Sequence, residues 1–251
     1  MNSMGSVQES AHDFVANMDP LEQLAKLRKE DKHCDECGCS TQHLIIGSIV
    51  FCGVCNDRIA LEQEELDNRL VQEKRERKIS SIADMSGFRQ EIWDKAKSEA
   101  PEQFKRYAKN REDMLKKGVN ILFMGSVGTG KTTLAVGILN WAIRAGYYAE
   151  YAKGEEIVSN YKMFKDCKLL VIDEIHRAVR MYGDKPASED RTAFYNLVEH
   201  RKNKRLPTIF ISNENRKYSA VSLGEATVDR MVDRAVIVVM DGESHRKSYD
   251  F

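Results

Sequence analysis

The sequence predicts an α/β protein in which helices flank a five-stranded parallel sheet, preceded by a small cysteine-rich module. Two observations predict the sheet: short apolar runs recur after Gly118, and most of them are separated by stretches with helical periodicity. The third observation predicts the module, because five of the six cysteines lie between Cys34 and Cys55. We therefore expect an N-terminal region at 1–56, a charged helical linker at 57–85 and an α/β domain at 86–251.

The apolar runs are assigned to strands because they are short and rich in branched side chains, as is typical of strands buried on both faces. In chain order they read NILFMG, YYAEYA, KLLVID, TIFISN and AVIVVMD. Helices are predicted between them, including one from Lys131 to Ala145 and one from Asp190 to Lys202. Strands that alternate with helices in this way predict a parallel sheet.

Charge and hydropathy limit the classes of function, and any nucleic-acid-binding surface must be local. The 251 residues carry 39 basic and 39 acidic side chains, so overall charge does not indicate a nucleic-acid-binding protein. No apolar run approaches the roughly 20 residues that a membrane-spanning helix needs. The start MNSMGSVQESAHDF lacks the basic and apolar regions of a signal peptide. We expect a cytoplasmic protein with no membrane contact.

The linker carries many charges of both signs. From Asn56 to Lys78, thirteen of 23 side chains are charged, and the apolar positions Ile59, Leu66 and Leu70 form a narrow stripe. A stripe this narrow buries little surface by itself. The segment is therefore interpreted as a solvated connecting helix, with a partner-binding helix as the alternative.

The cysteine module has the spacing of a structural metal site. Two CxxC pairs form the pattern C-x₂-C-x₁₄-C-x₂-C, which predicts four thiolate ligands for one Zn²⁺. So short a segment could not fold by apolar burial alone, so the metal would supply the folding energy. A redox dithiol pair or an iron–sulfur cluster is the alternative, and Cys39, His33 or His43 could replace a ligand. The predicted zinc ligands are Cys34, Cys37, Cys52 and Cys55.

A glycine-rich turn follows the first predicted strand of the α/β domain. It fits G-x-x-x-x-G-K-[ST] at every fixed position and lies between an apolar strand and an amphipathic helix. Glycines let backbone N–H groups surround a phosphate chain, and the following helix directs its positive end towards it. Lys131 would reach the β- and γ-phosphates of ATP, and Thr132 would ligate Mg²⁺. The predicted nucleotide-binding residues are Gly125, Ser126, Val127, Gly128, Thr129, Gly130, Lys131, Thr132 and Thr133.

Two later strands end in polar residues that belong at the same edge of the sheet. KLLVID ends in Asp173, followed by Glu174, and TIFIS is followed by Asn213. Ligands of open α/β sheets bind at the carboxyl ends of the strands. Asp173 would hold Mg²⁺ through a water, and Glu174 would activate another water as general base. Asn213 would orient that water or sense the γ-phosphate. A carboxylate placed for water favours hydrolysis over phosphate transfer.

The motifs GSVGTGKTTL, LLVIDEI, IFISNEN, LGEATVDRM and GESHRK, in this order, resemble those of the DnaC/IstB-like AAA+ ATPases. The resemblance spans roughly Ser86 to Tyr249 and implies an AAA+ P-loop core. It implies that Arg230 is the arginine finger acting on the nucleotide of a neighbouring subunit. It also implies that Arg246 is the sensor-2 residue acting within its own chain. Catalysis would then depend on a homo-oligomer assembled with ATP and partner.

The family includes replicative helicase loaders and transposition helper ATPases. The N-terminal module favours a loader that places a ring helicase on DNA and uses ATP hydrolysis for release. The alternatives are a transposition helper of the IstB type, or a zinc-dependent DNA-binding regulator with weak ATPase activity. A small-molecule phosphotransferase is disfavoured because no arginine-rich lid or acceptor pocket is evident.

One departure from the family concerns DNA. Loaders that this chain resembles carry a longer helical insertion for single-stranded DNA in the segment that here is only Lys153 to Cys167. The basic stretches HRKNKR at 200–205 and RKY at 216–218 could instead follow a single strand. The alternative is that each is an ordinary solvated surface.

Overall fold

A computed structural model describes residues 33, 37–38, 43–46, 49–183, 185–213 and 216–242. At residues 43–46, 49–53, 56 and 216–218 it describes the backbone alone. The chain divides into two compact units, Met1–Gln72 and Glu73–Phe251, and each is considered by itself below. The division lies inside the segment that the sequence assigned to a linker, and the predicted boundaries at 56/57 and 85/86 stay predictions.

The first unit contains a β-hairpin and the beginning of a long helix. Strand β1 (His43–Ile46) pairs antiparallel with β2 (Ile49–Cys52), and helix α1 (Gly53–Ser86) begins immediately after β2. The hairpin therefore follows the first CxxC pair and ends at Cys52, the first cysteine of the second pair. The prediction of a helix over the charged segment is confirmed, and its apolar residues Leu66 and Leu70 are exposed. These residues form no core of their own.

The second unit is built on a five-stranded sheet in which every pairing is parallel. The strands are β3 (Asn120–Met124), β4 (Ala149–Lys153), β5 (Leu169–Asp173), β8 (Thr208–Ile211) and β9 (Ala235–Val239). Their spatial order is β4-β5-β8-β3-β9. The prediction of a five-stranded parallel sheet flanked by helices is thereby confirmed. A separate two-stranded hairpin joins β6 (Met181–Tyr182) to β7 (Lys185–Pro186).

Helices connect and cover these strands. Before the sheet lie α2 (Gln90–Glu99), α3 (Glu102–Lys109) and α4 (Arg111–Lys117). The remaining helices are α5 (Lys131–Arg144), α6 (Tyr161–Phe164), α7 (Ser188–Asn203), α8 (Arg216–Leu223) and α9 (Glu225–Val232). Two short 3₁₀ helices span Gly154–Glu156 and Ile175–Ala178. Across the described ranges, none of the helices combines the length and apolar composition of a membrane span.

Alternate side chains of the central strands enter two apolar clusters, one on each face of the sheet. Ile121 and Phe123 belong to one cluster, which contains Leu134 and Leu139 of α5, while Leu122 belongs to the other. This alternation follows from the two-residue repeat of a strand. The sheet is buried on both faces, which explains why its strands are continuous apolar runs in the sequence.

The parallel arrangement places the predicted functional segments at one edge of the sheet. The glycine-rich turn follows β3, Asp173 ends β5, and Asn213 follows β8 by two residues. All three are carboxyl ends of parallel strands, where open α/β sheets bind ligands. The basic stretch 200–205 leads into the amino end of β8, so it lies at the opposite edge.

Candidate nucleotide-binding site

The turn between β3 and α5 has a backbone that requires glycine. Gly125 has φ 127°, and a Cβ there would lie 2.3 Å from the backbone oxygen of Met240. Gly130, which precedes α5, has φ 89° in the left-handed region. Side chains at these positions would clash or strain the turn. The turn therefore has the backbone conformation that the glycines of the motif were predicted to allow. A backbone of this kind can surround a phosphate chain.

Lys131 lies folded against this turn. Its Nζ donates hydrogen bonds to the backbone oxygens of Gly125 and Ser126 at 2.8 and 2.6 Å, and the residue is buried. Thr129 Oγ1 donates to the oxygen of Ser126 at 2.9 Å and closes the turn further. The lysine charge is therefore held at the mouth of the glycine-rich turn.

Thr132 and Asp173, predicted to share a magnesium ion, are in direct contact. Thr132 Oγ1 donates a hydrogen bond to Asp173 Oδ2 at 2.9 Å across 41 residues of sequence. Mg²⁺ in proteins usually keeps several of its coordinated waters. Because the hydroxyl gives its proton to Asp173, its lone pairs stay available to a cation. This pair therefore fits a Mg²⁺ ion that Thr132 ligates directly and that Asp173 holds through a coordinated water.

Tyr151 is a member of the site that the sequence analysis missed. Its hydroxyl donates to Asp173 Oδ2 at 3.0 Å from the middle of β4, the neighbour of β5 in the sheet. Burial and the adjacent Asp173 carboxylate raise the pKa of the Tyr151 phenol well above its usual value. The sequence treated Tyr151 only as part of an apolar strand, and the signal that would have found it is the pairing of β4 with β5.

Glu174 adopts a backbone conformation that is uncommon for a residue with a side chain. Its φ and ψ are 51° and 51°, in the left-handed region, at the start of the 3₁₀ helix 175–178. Its N–H donates to Asp173 Oδ1 at 2.8 Å, and its carboxylate pairs with Arg177 at 3.2 Å. Conformations of this kind concentrate at functional sites. The predicted general base is therefore adjacent to the predicted metal ligand and is paired with a cation.

The connection after β4 packs tightly on Glu174. A Cβ at Gly154 would lie 2.5 Å from the Glu174 backbone oxygen and 2.8 Å from the Ala178 nitrogen. Glu155, the next residue, lies 3.5 Å from the same Nη1 atom of Arg177 that contacts Glu174. The segment that the sequence analysis considered too short for DNA contact is thus in direct contact with the predicted catalytic base.

Three further residues, Asn213, Arg230 and Arg246, were predicted to take part in catalysis. Asn213 lies at the carboxyl edge of the sheet with an exposed side chain, and within the described residues no hydrogen bond joins it to Asp173 or Glu174. Arg230 lies in α9, where Nε donates to Glu199 and Nη1 donates to the oxygen of Ala226 at 3.1 Å. Arg246 falls outside the described residues. The roles of these three residues stay predictions.

The basic stretch 200–205 is largely engaged in internal contacts. Arg201 is fully buried and donates to backbone oxygens of Phe164, Cys167 and Pro207. Lys202 pairs with Asp233 at 2.9 Å. Asp166 Oδ1 forms hydrogen bonds with His200 Nε2 at 2.9 Å and with Lys204 Nζ at 3.4 Å. These contacts favour the alternative of an ordinary surface with one structural arginine. The side chains of the second stretch, 216–218, lie outside the part of the chain that the structure describes.

The structure describes the side chains of only two of the four cysteines that are predicted to bind zinc. Cys34 and Cys39 fall outside the described residues, as does the side chain of Cys52. Cys37 is exposed, and Cys55 is buried in the first turn of α1. Within the described residues, no group of three histidine, cysteine or acidic side chains is placed to hold a metal. The four-cysteine site therefore stays a prediction. Cys167, by contrast, is fully buried before β5 and is a core thiol.

Known proteins include several that this chain is similar to. One is a protein of insertion sequence IS232 from Bacillus thuringiensis subsp. berliner, which is named for ATP binding. The two are 32% identical over 146 residues, covering 51% of this chain and only 55% of that relative. Among solved structures, the chain is similar to DnaI with a TM-score of 0.49 and 18% identity, over 63% of this chain and 94% of that one. It is also similar to the DnaC helicase loader, with a TM-score of 0.46 and 18% identity, over 56% of this chain and 91% of that one.

The family described as IstB-like ATP binding protein matches residues 59–250, which include the whole of the parallel sheet and its glycine-rich turn. This match covers most of the chain and agrees with the family resemblance that the motifs indicated. The chain therefore belongs to the family of IstB-like ATP-binding proteins.

Proposed function

We propose that this chain hydrolyses ATP with Mg²⁺ and uses the nucleotide cycle to control a DNA-transposition partner. The observation that carries the ATPase assignment is the contact between Thr132 and Asp173, with Glu174 beside it. That arrangement combines a pair of oxygens suited to Mg²⁺ with a carboxylate suited to activate water. Family membership supports ATP as the nucleotide.

Each residue of the site has its own proposed role in ATP hydrolysis. Backbone N–H groups of the turn 125–130 would bind the phosphates, and Lys131 would balance their charge. Mg²⁺, held by Thr132 and Asp173, would neutralise charge on the β- and γ-phosphates. Glu174 accepts a proton as water forms a new bond to the γ-phosphorus, and the bond to the bridging oxygen breaks to release ADP and phosphate. Asn213 would orient the water.

Two arginines would complete the site on assembly. In this proposal Arg230 of one copy stabilises the transition state of hydrolysis on a neighbouring copy. Arg246 contacts a phosphate of the nucleotide that is bound to its own chain. A guanidinium suits this role because its charge is fixed and its donors form a planar fork. An isolated monomer would consequently be a slow ATPase, and turnover would rise in a homo-oligomer formed with ATP and partner.

The similarity to known proteins changes which class of partner we favour. The motifs favoured a loader for a replicative ring helicase, with transposition as the alternative. The similarity to a protein of an insertion sequence supports the alternative instead. We therefore propose a transposase bound to DNA as the partner, and treat loading of a ring helicase as the rival outcome. Engagement of the stretch 200–205 in internal contacts gives direct binding of single-stranded DNA no support.

We also propose that the cysteine module binds one Zn²⁺ through Cys34, Cys37, Cys52 and Cys55. The hairpin β1–β2 supports this proposal because it joins the two cysteine pairs and returns the chain to the start of α1. His43 and Cys52 are opposite each other in the hairpin, which brings its two ends together. A small hairpin followed by a helix needs additional stabilisation, which a metal would provide.

A pull-down of defined components tests the proposed function. The tagged full chain is mixed with a transposase or with the replicative helicase of the same organism, with DNA and either ADP or a slowly hydrolysed ATP analogue. Retention of the transposase with the analogue only, together with ATP turnover that Lys131→Ala abolishes, is the expected result. Retention of the helicase alone would support the loader instead. Absence of ATP binding would contradict both.

A further inference from the structure

We infer that Tyr151 is a positioning residue that holds Asp173 in the orientation needed to bind Mg²⁺, and so sets the affinity of the site for the metal. This inference rests on the proposed Mg²⁺-dependent ATPase function and deepens it. It concerns a side chain from β4, whereas Thr132 and Asp173 follow β3 and end β5 respectively.

Three donors surround the Asp173 carboxylate. Oδ2 accepts from Tyr151 at 3.0 Å and from Thr132 at 2.9 Å, while Oδ1 accepts from the Glu174 N–H at 2.8 Å. A carboxylate offers about four acceptor positions, so these bonds leave about one free. Three donors approaching two oxygens fix the plane of the carboxylate. Rotation of Asp173 would break at least one of these bonds.

Of these three donors, Tyr151 is the one that neither binds nucleotide nor belongs to the catalytic segment. The Thr132 hydroxyl is itself a proposed metal ligand, and the Glu174 N–H moves with the chain that follows Asp173. The Tyr151 ring is instead fixed within the apolar cluster on the α5 face of the sheet, and the residue is buried. It is therefore a rigid support that reaches Asp173 from a neighbouring strand.

A simpler explanation is that Asp173 only accepts the hydrogen bond that the buried Tyr151 hydroxyl needs. Buried hydroxyl groups need a hydrogen-bond partner in any case. The two explanations differ in what the loss of the hydroxyl does. If Tyr151 is positioned for the metal, Tyr151→Phe weakens Mg²⁺ binding, since residues that orient a metal ligand typically contribute about 10-fold or more to metal affinity. If it is only structural, metal affinity stays unchanged.

Tyr107 provides a matched control. It is also a buried tyrosine of the same apolar cluster, and its hydroxyl donates to the Val119 backbone oxygen at 3.0 Å. Burial raises the pKa of the Tyr107 phenol as well. Tyr107→Phe therefore removes one buried phenol hydrogen bond that makes no contact with Asp173. Both variants should lose similar stability, and only Tyr151→Phe should change the metal dependence.

The experiment measures ADP binding at a series of Mg²⁺ concentrations and in EDTA, for the full chain and both variants. We expect Tyr151→Phe to raise the Mg²⁺ concentration at half-maximal effect about 10-fold, with ADP affinity in EDTA unchanged. A shift below two-fold, or an equal shift in Tyr107→Phe, would overturn the inference. So would loss of folding in Tyr151→Phe alone. Failure of the wild type to bind nucleotide would instead refute the proposed function.

Discussion

Arg230 in α9 donates a hydrogen bond from Nε to the Glu199 carboxylate in α7, and its guanidinium carbon lies 4.8 Å from the centre of the Tyr195 ring. The Glu199 hydrogen bond raises the pKa of Arg230 further, so this side chain stays charged. The proposed arginine finger is thus held by its own chain. To act on a neighbouring copy, Arg230 would have to exchange Glu199 for a phosphate group.

Arg230→Ala is predicted to reduce ATP turnover in the assembled state by about 100-fold, because a donor aimed at developing charge is lost. ATP affinity, measured by fluorescent-nucleotide titration, should change little. Glu199→Gln is the matched control, since it removes the ion pair and keeps the guanidinium. If both substitutions lower turnover equally, Arg230 is a structural ion pair of α7 and α9 and does not act as a finger.

Arg177→Ala is predicted to raise the basal ATPase rate of the unassembled chain. Arg177 pairs with the Glu174 carboxylate at 3.2 Å, so the carboxylate must leave this partner before it can accept a proton from water. The two side chains are 51% and 31% exposed, and exposed ion pairs contribute about 0.2–1 kcal/mol. The increase should therefore not exceed about five-fold. Steady-state phosphate release measures it.

Arg180→Ala is a suitable control for that experiment. Arg180 is close in sequence, but its partner is Asp190, to which it donates twice at 2.8 Å. This substitution should leave the basal rate of ATP hydrolysis near that of the wild type. A fall in the rate with Arg177→Ala would show that Arg177 assists catalysis, contrary to the prediction.

Gly154→Ala is predicted to reduce turnover more than nucleotide binding. The new Cβ would lie 2.5 Å from the Glu174 backbone oxygen, so the backbone of the proposed base must shift. A displacement of this order costs about 100-fold in rate when it misplaces a reacting group. Gly242→Ala is the control, because among the residues that the structure describes nothing lies within 4 Å of a Cβ at this position. Equal effects of the two substitutions on turnover would refute a role for the close contact.

The sequence predicted the sheet and its functional edge well because these features are local. Strands such as 169–173 are buried on both faces and so appear as apolar runs, and Gly125 and Gly130 occur where the backbone needs positive φ. Tyr151 could not be found in the same way. Its role depends on β4 lying beside β5, which is a relationship between strands that no local pattern contains.

The stretch 200–205 also depends on contacts that the sequence does not display. A sequence displays the charges of Lys202 and Lys204 but not the carboxylates of Asp233 and Asp166 that approach them from elsewhere in the chain. Arg201 is the extreme case, since a residue that is usually exposed is fully buried here. Clusters of basic residues therefore indicate a nucleic-acid surface only when the partners of each side chain are known.

Arg201→Met is predicted to destabilise the fold by about 3 kcal/mol or more. The guanidinium donates to Thr208 Oγ1 at 2.8 Å and to four backbone oxygens, and each buried acceptor left without a donor costs about 1–3 kcal/mol. Lys204→Met is the control and should stay within about 0.5 kcal/mol, because Lys204 is largely exposed. Urea unfolding measures both. Comparable losses would contradict the structural role assigned to Arg201.

The full chain is predicted to contain about one zinc ion, bound by the four cysteines of the two CxxC pairs. Removing the metal with a chelator should unfold the hairpin and the first turns of α1, because the module has little apolar core of its own. Metal analysis gives the zinc content, and limited proteolysis around residue 53 reports the folding of this region. ATP binding by the parallel-sheet unit should persist, since its proposed ligands lie between Gly125 and Asp173.

Substitutions separate this zinc site from its alternatives. Cys55→Ser should abolish zinc binding, whereas Cys167→Ser should retain it, because Cys167 lies buried before β5 as a core thiol. Cys39→Ser tests whether the fifth cysteine of the module is a ligand, and retention of zinc would identify it as a spare. Iron with sulfide in the purified chain would replace the zinc assignment. Loss of metal in Cys39→Ser but not in Cys37→Ser would reassign the ligand set within the first pair.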